Sequence, residues 1–201
     1  LPHLPAASQS PALQQLARRL LLSAAEMPGG KSGAISLLGL RASLLSQSGA
    51  FDEAQKLAAF AGRTSGDELL QRARADALLA GNELDQACAV AAPIVRKSSD
   101  VYWLKLSGFC QIRRGDPAAA QLTASLLSEQ DDADAAYQAL LAALIDKRAK
   151  PPATLANPQP LHLAMMRMGS MRLAAGILES AGAPALKILA RAPEFDPDLR
   201  L

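Results

Sequence analysis

The stretch Gly49-Ala-Phe-Asp-Glu-Ala54 decides the fold, because its pattern returns twice at a spacing of 33 residues. The second copy is Asn82-Glu-Leu-Asp-Gln-Ala87 and the third is Gly115-Asp-Pro-Ala-Ala-Ala120. Twelve residues before the alanine that ends each copy stands another small residue, which is Ala42, Ala75 or Gly108. A fixed period of this length is typical of stacked helical hairpins, whose helices approach closely only where the side chains are small.

The composition favours an all-α protein. Half of the 201 residues are hydrophobic but only 3% are aromatic, so the core must consist of many close contacts of alanine and leucine. Both are strong helix formers. With 21 basic and 19 acidic residues, the charge balance implies no nucleic-acid partner. No apolar run reaches the roughly 18 residues that span a bilayer, so we expect no direct membrane insertion.

Helix and turn signals divide the chain into four parts. We expect a disordered lead over 1–9, a helical-hairpin repeat domain over 10–148, a Pro-rich linker over 149–160 and a helical C-terminal cap over 161–201. The predicted helices cover about 10–27, 33–48, 52–62, 67–80, 84–96, 100–114, 117–128, 132–147, 161–168, 171–180 and 184–191.

The helix ends carry recognisable signals. Gly49, Asn82 and Gly115 stand where a helix leaves through the left-handed conformation. The expected N-caps of two later helices are Ser98 or Ser99 and Asp131.

Both ends of the chain suggest a piece of a longer protein. The sequence does not begin with Met, and the helix start Asp196-Pro-Asp198 comes just before the last residues. The excess of arginine over lysine is typical of GC-rich bacterial genomes. We therefore expect a fragment of a larger bacterial envelope protein, periplasmic or envelope-associated, with a cytoplasmic location as the alternative.

Two cysteines bear on the same question of compartment. Cys88 and Cys110 belong to neighbouring helices of the expected stack, so a disulfide is sterically conceivable, while buried free thiols are the other interpretation. A bridge would favour an oxidising compartment such as the periplasm.

The candidate catalytic and metal motifs are weak. Gly29-Gly-Lys-Ser32 lacks the earlier glycine of a phosphate loop, since Ala25 occupies that position inside a helix. Neither His3 nor His162 has a second ligand at metal-binding spacing. We therefore predict no catalytic residue, no metal and no cofactor.

The order of small residue, turn glycine, apolar residue and alanine resembles tetratricopeptide repeats, best over Gly49-x-Phe51-x-x-Ala54. The resemblance covers about residues 33–147, although the closing proline of that motif is missing. It implies a right-handed α-solenoid of antiparallel helix pairs, here with a short helical C-terminal cap. In such repeats the first helices of successive hairpins line a concave surface that binds peptides or protein segments.

Transferred to this sequence, the resemblance implies a protein-binding groove with aromatic anchors. Tyr102 and Phe109 lie two helical turns apart on one face and are interspersed with cations, a combination that is typical of binding hot spots. The alternative is that both aromatics belong to the core and the cations are merely solvated. The candidate groove residues are Arg72, Asp76, Tyr102, Lys105, Phe109 and Arg113.

A second contact is predicted in the cluster Met165, Met166, Met168 and Met171, because methionine side chains form adaptable apolar surfaces. Met165 and Met168 are its candidate residues. A soft-metal thioether site and plastic filling of the core are the alternatives that we weighed.

The function that these observations favour is a non-catalytic scaffold or adaptor that binds another protein or a peptide segment. Two alternatives belong to other classes. The chain could be a helical accessory domain of a cell-wall-acting enzyme, or a self-assembling structural module whose open apolar end stacks on another copy as a homo-oligomer.

Overall fold

The computed structural model describes residues 10–23, 36–60, 66–129, 134–146, 148–192 and 195. Within these ranges the protein is all-α, as predicted, with eleven helices packed against each other and no strand. The helices are α1 (Pro11–Leu22), α2 (Leu37–Gln47), α3 (Phe51–Phe60), α4 (Glu68–Ala80), α5 (Leu84–Ile94), α6 (Val101–Arg113), α7 (Pro117–Ser128), α8 (Ala135–Ile145), α9 (Pro160–Met168), α10 (Ala175–Ser180) and α11 (Ala183–Leu189).

Some of the features expected from the sequence lie outside the described residues. They are the lead over 1–9, including His3, the Gly29–Ser32 turn, the N-cap Asp131 and the helix start at 196–198.

Three helix ends share one turn geometry at the 33-residue spacing. Gly49, Asn82 and Gly115 have positive φ angles of 72°, 61° and 79°, which confirms the predicted left-handed conformation. The residue after each turn donates its N–H to the carbonyl five residues earlier, at 2.8 or 2.9 Å, in the pairs Ala50 to Leu45, Glu83 to Leu78 and Asp116 to Gln111. Helices α2, α4 and α6 therefore end in the same way.

The end of α9 repeats this turn outside the 33-residue spacing. Ser170 has a φ of 49°, and the N–H of Met171 donates to the carbonyl of Met166 at 2.9 Å. The chain then runs without helical structure over 171–174. For this reason the helix predicted from residue 171 begins only at Ala175.

Helices α6 and α8 begin at aspartates that the sequence analysis did not choose. The Asp100 carboxylate accepts the N–H of Tyr102 at 2.8 Å, and the Asp134 carboxylate accepts the N–H of Tyr137 at 3.0 Å. The prediction of Ser98 or Ser99 as the cap of α6 was wrong. The Ser98 hydroxyl instead accepts the N–H of Asp100 at 3.3 Å, one step before the helix.

The small residues on the 33-residue period lie where helices meet. All five alanines of the set have no exposed surface, and Gly108 is buried as well. At Gly108 a Cβ atom would lie 2.4 Å from the hydroxyl of Tyr137, which donates to the Lys105 carbonyl at 2.8 Å. The absence of a side chain at position 108 therefore lets a fully buried tyrosine from α8 reach the backbone of α6.

Most helices pack against their neighbours in the chain. Helix α2 contacts α3 and α4, α4 contacts α3 and α5, α6 contacts α5, α7 and α8, and α1 contacts α2. The largest core cluster runs from Phe51 to Phe195, so it includes both repeat and C-terminal residues.

The C-terminal helices contact more of the protein than a cap at one end would. Helix α9 packs against α4 as well as α8, and its first seven residues, 160–166, are all buried. Helix α11 packs against α9, and the Lys187 ammonium donates to the Ser48 carbonyl at 2.7 Å in the first repeated turn. Arg191 pairs with Asp52 at 3.2 Å beside it. Helix α11 and the turn after it thus contact the ends of α2 and α3.

We expect Gly108→Ala to destabilise the protein by about 1–3 kcal/mol, because the new methyl group forces Tyr137 off its hydrogen bond. The same substitution in a Tyr137→Phe background should cost clearly less, since the nearest remaining ring atom would be 3.7 Å away. Urea unfolding of the four proteins in this double-mutant cycle measures the coupling. Equal costs in both backgrounds would contradict the proposed contact.

Candidate functional site

Three of the predicted groove residues form one cluster. The Tyr102 hydroxyl donates to the Asp76 carboxylate at 2.7 Å, and the Arg72 guanidinium lies over the Tyr102 ring, 4.3 Å from its centroid. The neighbouring Trp103 is buried and meets the same ring edge to face, with centroids 5.0 Å apart. Tyr102 is half-buried, and its hydroxyl and its ring both make contacts within the chain.

Burial shapes the acid–base behaviour of this cluster. It raises the pKa of Asp76 to about 6, although the hydrogen bond from Tyr102 and the charge of Arg72 act in the opposite direction. Burial and the adjacent carboxylate also raise the pKa of Tyr102 well above its ordinary value. The cluster therefore contains one carboxyl group that titrates close to neutral pH.

Two predicted site residues are core residues, which corrects the sequence analysis. Phe109 and Met165 have no exposed surface. The seven-residue spacing of Tyr102 and Phe109 gives a shared direction around α6 but not a shared depth. This face of α6 is partly exposed at Tyr102 but fully buried at Phe109, two turns later. Met165 lies in the enclosed part of α9. Neither residue lines a surface that a partner could reach.

Lys105, a fourth predicted groove residue, belongs to a network that joins three helices. Its ammonium donates to Asp134 Oδ2 at 2.9 Å, and His162 Nε2 lies 3.1 Å from the same oxygen. His162 Nδ1 faces the backbone N–H of Gln159 at 3.3 Å and must accept there, so Nε2 carries the proton that Asp134 accepts. Asp134 therefore connects α6 and α9 to the start of α8.

The partners of Asp134 stabilise its ionised form. The hydrogen bond from His162 holds the pKa of this carboxyl well below its usual range, with further contributions from the Tyr137 N–H and from Lys105. This partner of His162 is not predictable from the sequence, because the interaction joins residues that are 28 positions apart in the chain. Its nearest sequence signal is the helix start at Gln159-Pro160, which fixes the orientation of the histidine ring.

The last predicted groove residue, Arg113, forms a bidentate ion pair with Asp85. Its Nε and Nη2 donate to the two carboxylate oxygens of Asp85 at 2.7 and 2.8 Å. The hydrogen bond from Arg113 lowers the pKa of Asp85. Asp85 is largely exposed, at 84% of its side chain, and this pair therefore lies at the protein surface.

Arg113 also lines an open cleft of about 780 Å³ between the C-terminal ends of α6, α8 and α9. Its fourth wall is the Pro-rich strap that leads to α9, residues 148–159. The main lining residues of the cleft are Ile112, Arg113, Leu144, Pro151, Met168 and Met171. We call it the Met-lined cleft after the two methionines. The fold thus brings together Arg113 of the predicted groove and Met168 of the predicted second contact.

A second groove, of about 910 Å³, lies along α4 and α5 and includes Val90, Ile94 and Lys97. It contains none of the predicted site residues and adjoins residues 61–65, which are outside the described ranges. The Met-lined cleft is therefore the candidate functional site.

Cys88 and Cys110 form a disulfide with a Cα–Cα distance of 5.7 Å. It joins α5 to α6 at the level of the buried core. The sequence allowed either a disulfide or two buried free thiols, and the structure contains the disulfide.

The described residues contain no group of three or more His, Cys, Asp or Glu side chains that could hold a metal ion. None of their helices is long and apolar enough to cross a bilayer.

Comparison with known proteins gave no relative. No protein-family model, no curated protein and no solved structure matches this chain.

We expect Asp134→Ala to cost about 2–4 kcal/mol of unfolding free energy, because it removes the cap of α8 and leaves Lys105 and His162 without their acceptor. Asp116→Ala is the matched control, since Asp116 caps α7 through the Ala119 N–H. It should cost only about 1 kcal/mol. Urea unfolding at pH 7 compares the two variants, and equal costs would contradict a stabilising role for the network.

The ionisation of Asp76 should make the unfolding free energy depend on pH in a defined direction. Because its folded-state pKa lies above the ordinary value of 3.8, its contribution to stability is fully present at low pH and is lost as the pH rises through about 6. Asp76→Asn keeps an acceptor for Tyr102 but cannot ionise. Relative to wild type, the variant should gain about 2 kcal/mol between pH 4 and pH 7.5 in urea unfolding. A pH-independent difference would contradict the assignment.

Proposed function

We propose that this chain is a non-catalytic scaffold or adaptor that binds another protein. In this proposal the helices up to α8 form an α-solenoid of antiparallel pairs related to tetratricopeptide repeats, and the C-terminal helices pack across it. The observation that carries the proposal is the recurrence of the same left-handed turn and the same buried small residues every 33 positions. Repeats of this kind are most often used to build extended binding surfaces.

The Met-lined cleft is the surface that best fits this role. Tyr102, Asp76 and Lys105 are engaged by partners inside the chain, and Phe109 is buried, so these four residues offer little to a ligand. Arg113 and Met168 instead line an open cleft, where methionine side chains can adapt to a partner. We therefore place the binding site at the C-terminal ends of α6, α8 and α9.

The proposed location is the periplasm or the cell envelope of a bacterium. The Cys88–Cys110 bridge supports it, because disulfides persist mainly in oxidising compartments. A cytoplasmic location would keep both thiols reduced in most organisms.

Self-association is a second candidate function, and the surface of α1 favours it. This helix buries Ala17 and Leu21 but leaves Leu13, Leu16 and Leu20 between 46% and 65% exposed. An apolar helix face that is exposed to this extent is typical of an association site. A second copy that covers this face would make the mass measured by light scattering rise with concentration, and a constant monomer mass would argue against it.

The disulfide prediction tests the proposed location. When the producing cells are opened in denaturant that already contains maleimide, every free thiol becomes accessible and both bridged cysteines should stay unlabelled. Two labelled cysteines would contradict the location. In the purified protein, reduction should cost about 3 kcal/mol, because the bridge closes a 22-residue separation. The Cys88→Ala/Cys110→Ala variant should show no response of its melting temperature to reductant.

The binding prediction uses a substitution that fills the cleft. Ala149 lines it from the strap, outside any helix, so Ala149→Trp should block the cleft without disturbing the core. Ala153→Trp is the matched control on an exposed part of the same strap.

Proteins crosslinked to each full chain in cells that produce it are compared by mass spectrometry. We expect a defined partner with wild type and with Ala153→Trp that is lost with Ala149→Trp. A set of partners that is identical for all three chains would contradict binding at the cleft.

A further inference from the structure

The charge around the Met-lined cleft points to the class of partner. We propose that the cleft binds an acidic peptide segment of a partner protein, with one or two apolar side chains of that segment inserted between Met168 and Leu144. This proposal rests on the proposed function, because it specifies what the protein-binding site recognises.

The residues that line the cleft or directly adjoin its lining in the chain, which we call the rim, carry only positive charges. Every charged residue that lines the cleft, or directly adjoins a lining residue in the chain, is an arginine or a lysine. These residues are Arg113, Arg114, Arg148, Lys150, Arg167 and Arg172. The protein as a whole has 21 basic and 19 acidic residues, so the excess of cations among the rim residues is a local feature.

Four of these cations are available to a ligand. Arg114, Arg148, Lys150 and Arg172 are exposed, and none of them forms an ion pair within the described parts of the chain. The other two are engaged, since Arg113 pairs with Asp85 and Arg167 lies over the Phe195 ring at 5.7 Å. The carboxylate of Asp146 accepts the backbone N–H of Arg148.

The interior of the cleft selects apolar groups. Ile112, Leu144, Pro151, Met168 and Met171 contribute apolar surface, and the volume of about 780 Å³ is within the usual range for ligand sites. Thioether side chains repack around different shapes, which suits a peptide side chain better than a rigid small molecule. An apolar cleft with cations in and next to its lining is therefore complementary to apolar side chains flanked by carboxylates.

A competing explanation is that the cations only complement the C-terminal ends of α6, α8 and α9, where the helix dipoles carry partial negative charge. That role would contribute a small amount to stability and would bind no peptide. Charge reversal at the rim separates the two explanations, because binding and stability are measured independently.

The test is fluorescence anisotropy with three fluorescein-labelled peptides of nine residues. The first contains two leucines flanked by glutamates, the second has lysines in place of the glutamates, and the third has serines in place of the leucines. The proteins are the wild-type chain, Arg148→Glu/Lys150→Glu and Ala149→Trp. Arg96→Glu/Lys97→Glu is the charge-matched control, since this exposed turn precedes the opposite end of α6.

We expect wild type and the control to bind the first peptide at least tenfold more tightly than the other two. Charge reversal at Arg148 and Lys150 should weaken this binding at least tenfold, and Ala149→Trp should abolish it. The melting temperatures of the variants should stay within a few degrees of wild type. Binding of the first peptide should also weaken as salt is raised, because the rim charges are exposed.

Three outcomes would overturn the proposal. Equal binding of the glutamate and lysine peptides would remove the acidic preference but leave the cleft as a protein-binding site. No binding of any peptide would reject this ligand class, and the crosslinking of Ala149→Trp would then decide the proposed function separately. Binding of wild type to phosphatidylglycerol vesicles but to no peptide, lost on charge reversal, would assign the rim to a lipid surface instead.

Discussion

The arrangement of the helices depends most on the hydrogen bonds that the Asp134 carboxylate accepts. This carboxylate caps α8 through the Tyr137 N–H and accepts hydrogen bonds from Lys105 on α6 and from His162 on α9. A partly buried carboxylate with three donors is stabilised in its ionised form, and its loss would leave a buried histidine and a lysine without an acceptor. This group thus links the C-terminal segment to the preceding helices, in addition to the apolar contacts of α9.

The position of α9 determines which surfaces of the protein remain open. Seven consecutive buried residues, 160–166, make α9 a central helix, packed on α4 and α8 and covered by α11. A helix that is buried on all sides belongs to the core and is not a loosely held lid. The aromatic and charged residues that would face a groove make contacts within the chain, and open apolar surface remains at the Met-lined cleft.

The sequence predicted the helices well because their signals are local. The small residues and left-handed turns at 49, 82 and 115 depend on the immediate neighbours, and the structure confirms them. The site was harder to predict, because the depth of Phe109 and Met165 depends on helices that are distant in the chain. The contact of His162 with Asp134 and the meeting of Arg113 with Met168 likewise come from the path of α9 across α4 and α8. No periodicity in the sequence encodes that path.

The most direct test of this account is native-state hydrogen exchange, resolved amide by amide. If α9 is a permanent part of the core, its protected amides should exchange only by global unfolding, with the same opening free energy as those of α4 and α8. An opening free energy for α9 that is several kcal/mol lower would contradict the account. It would show that the segment detaches while the remaining helices stay folded, and that the surface it covers on α4 and α8 becomes accessible.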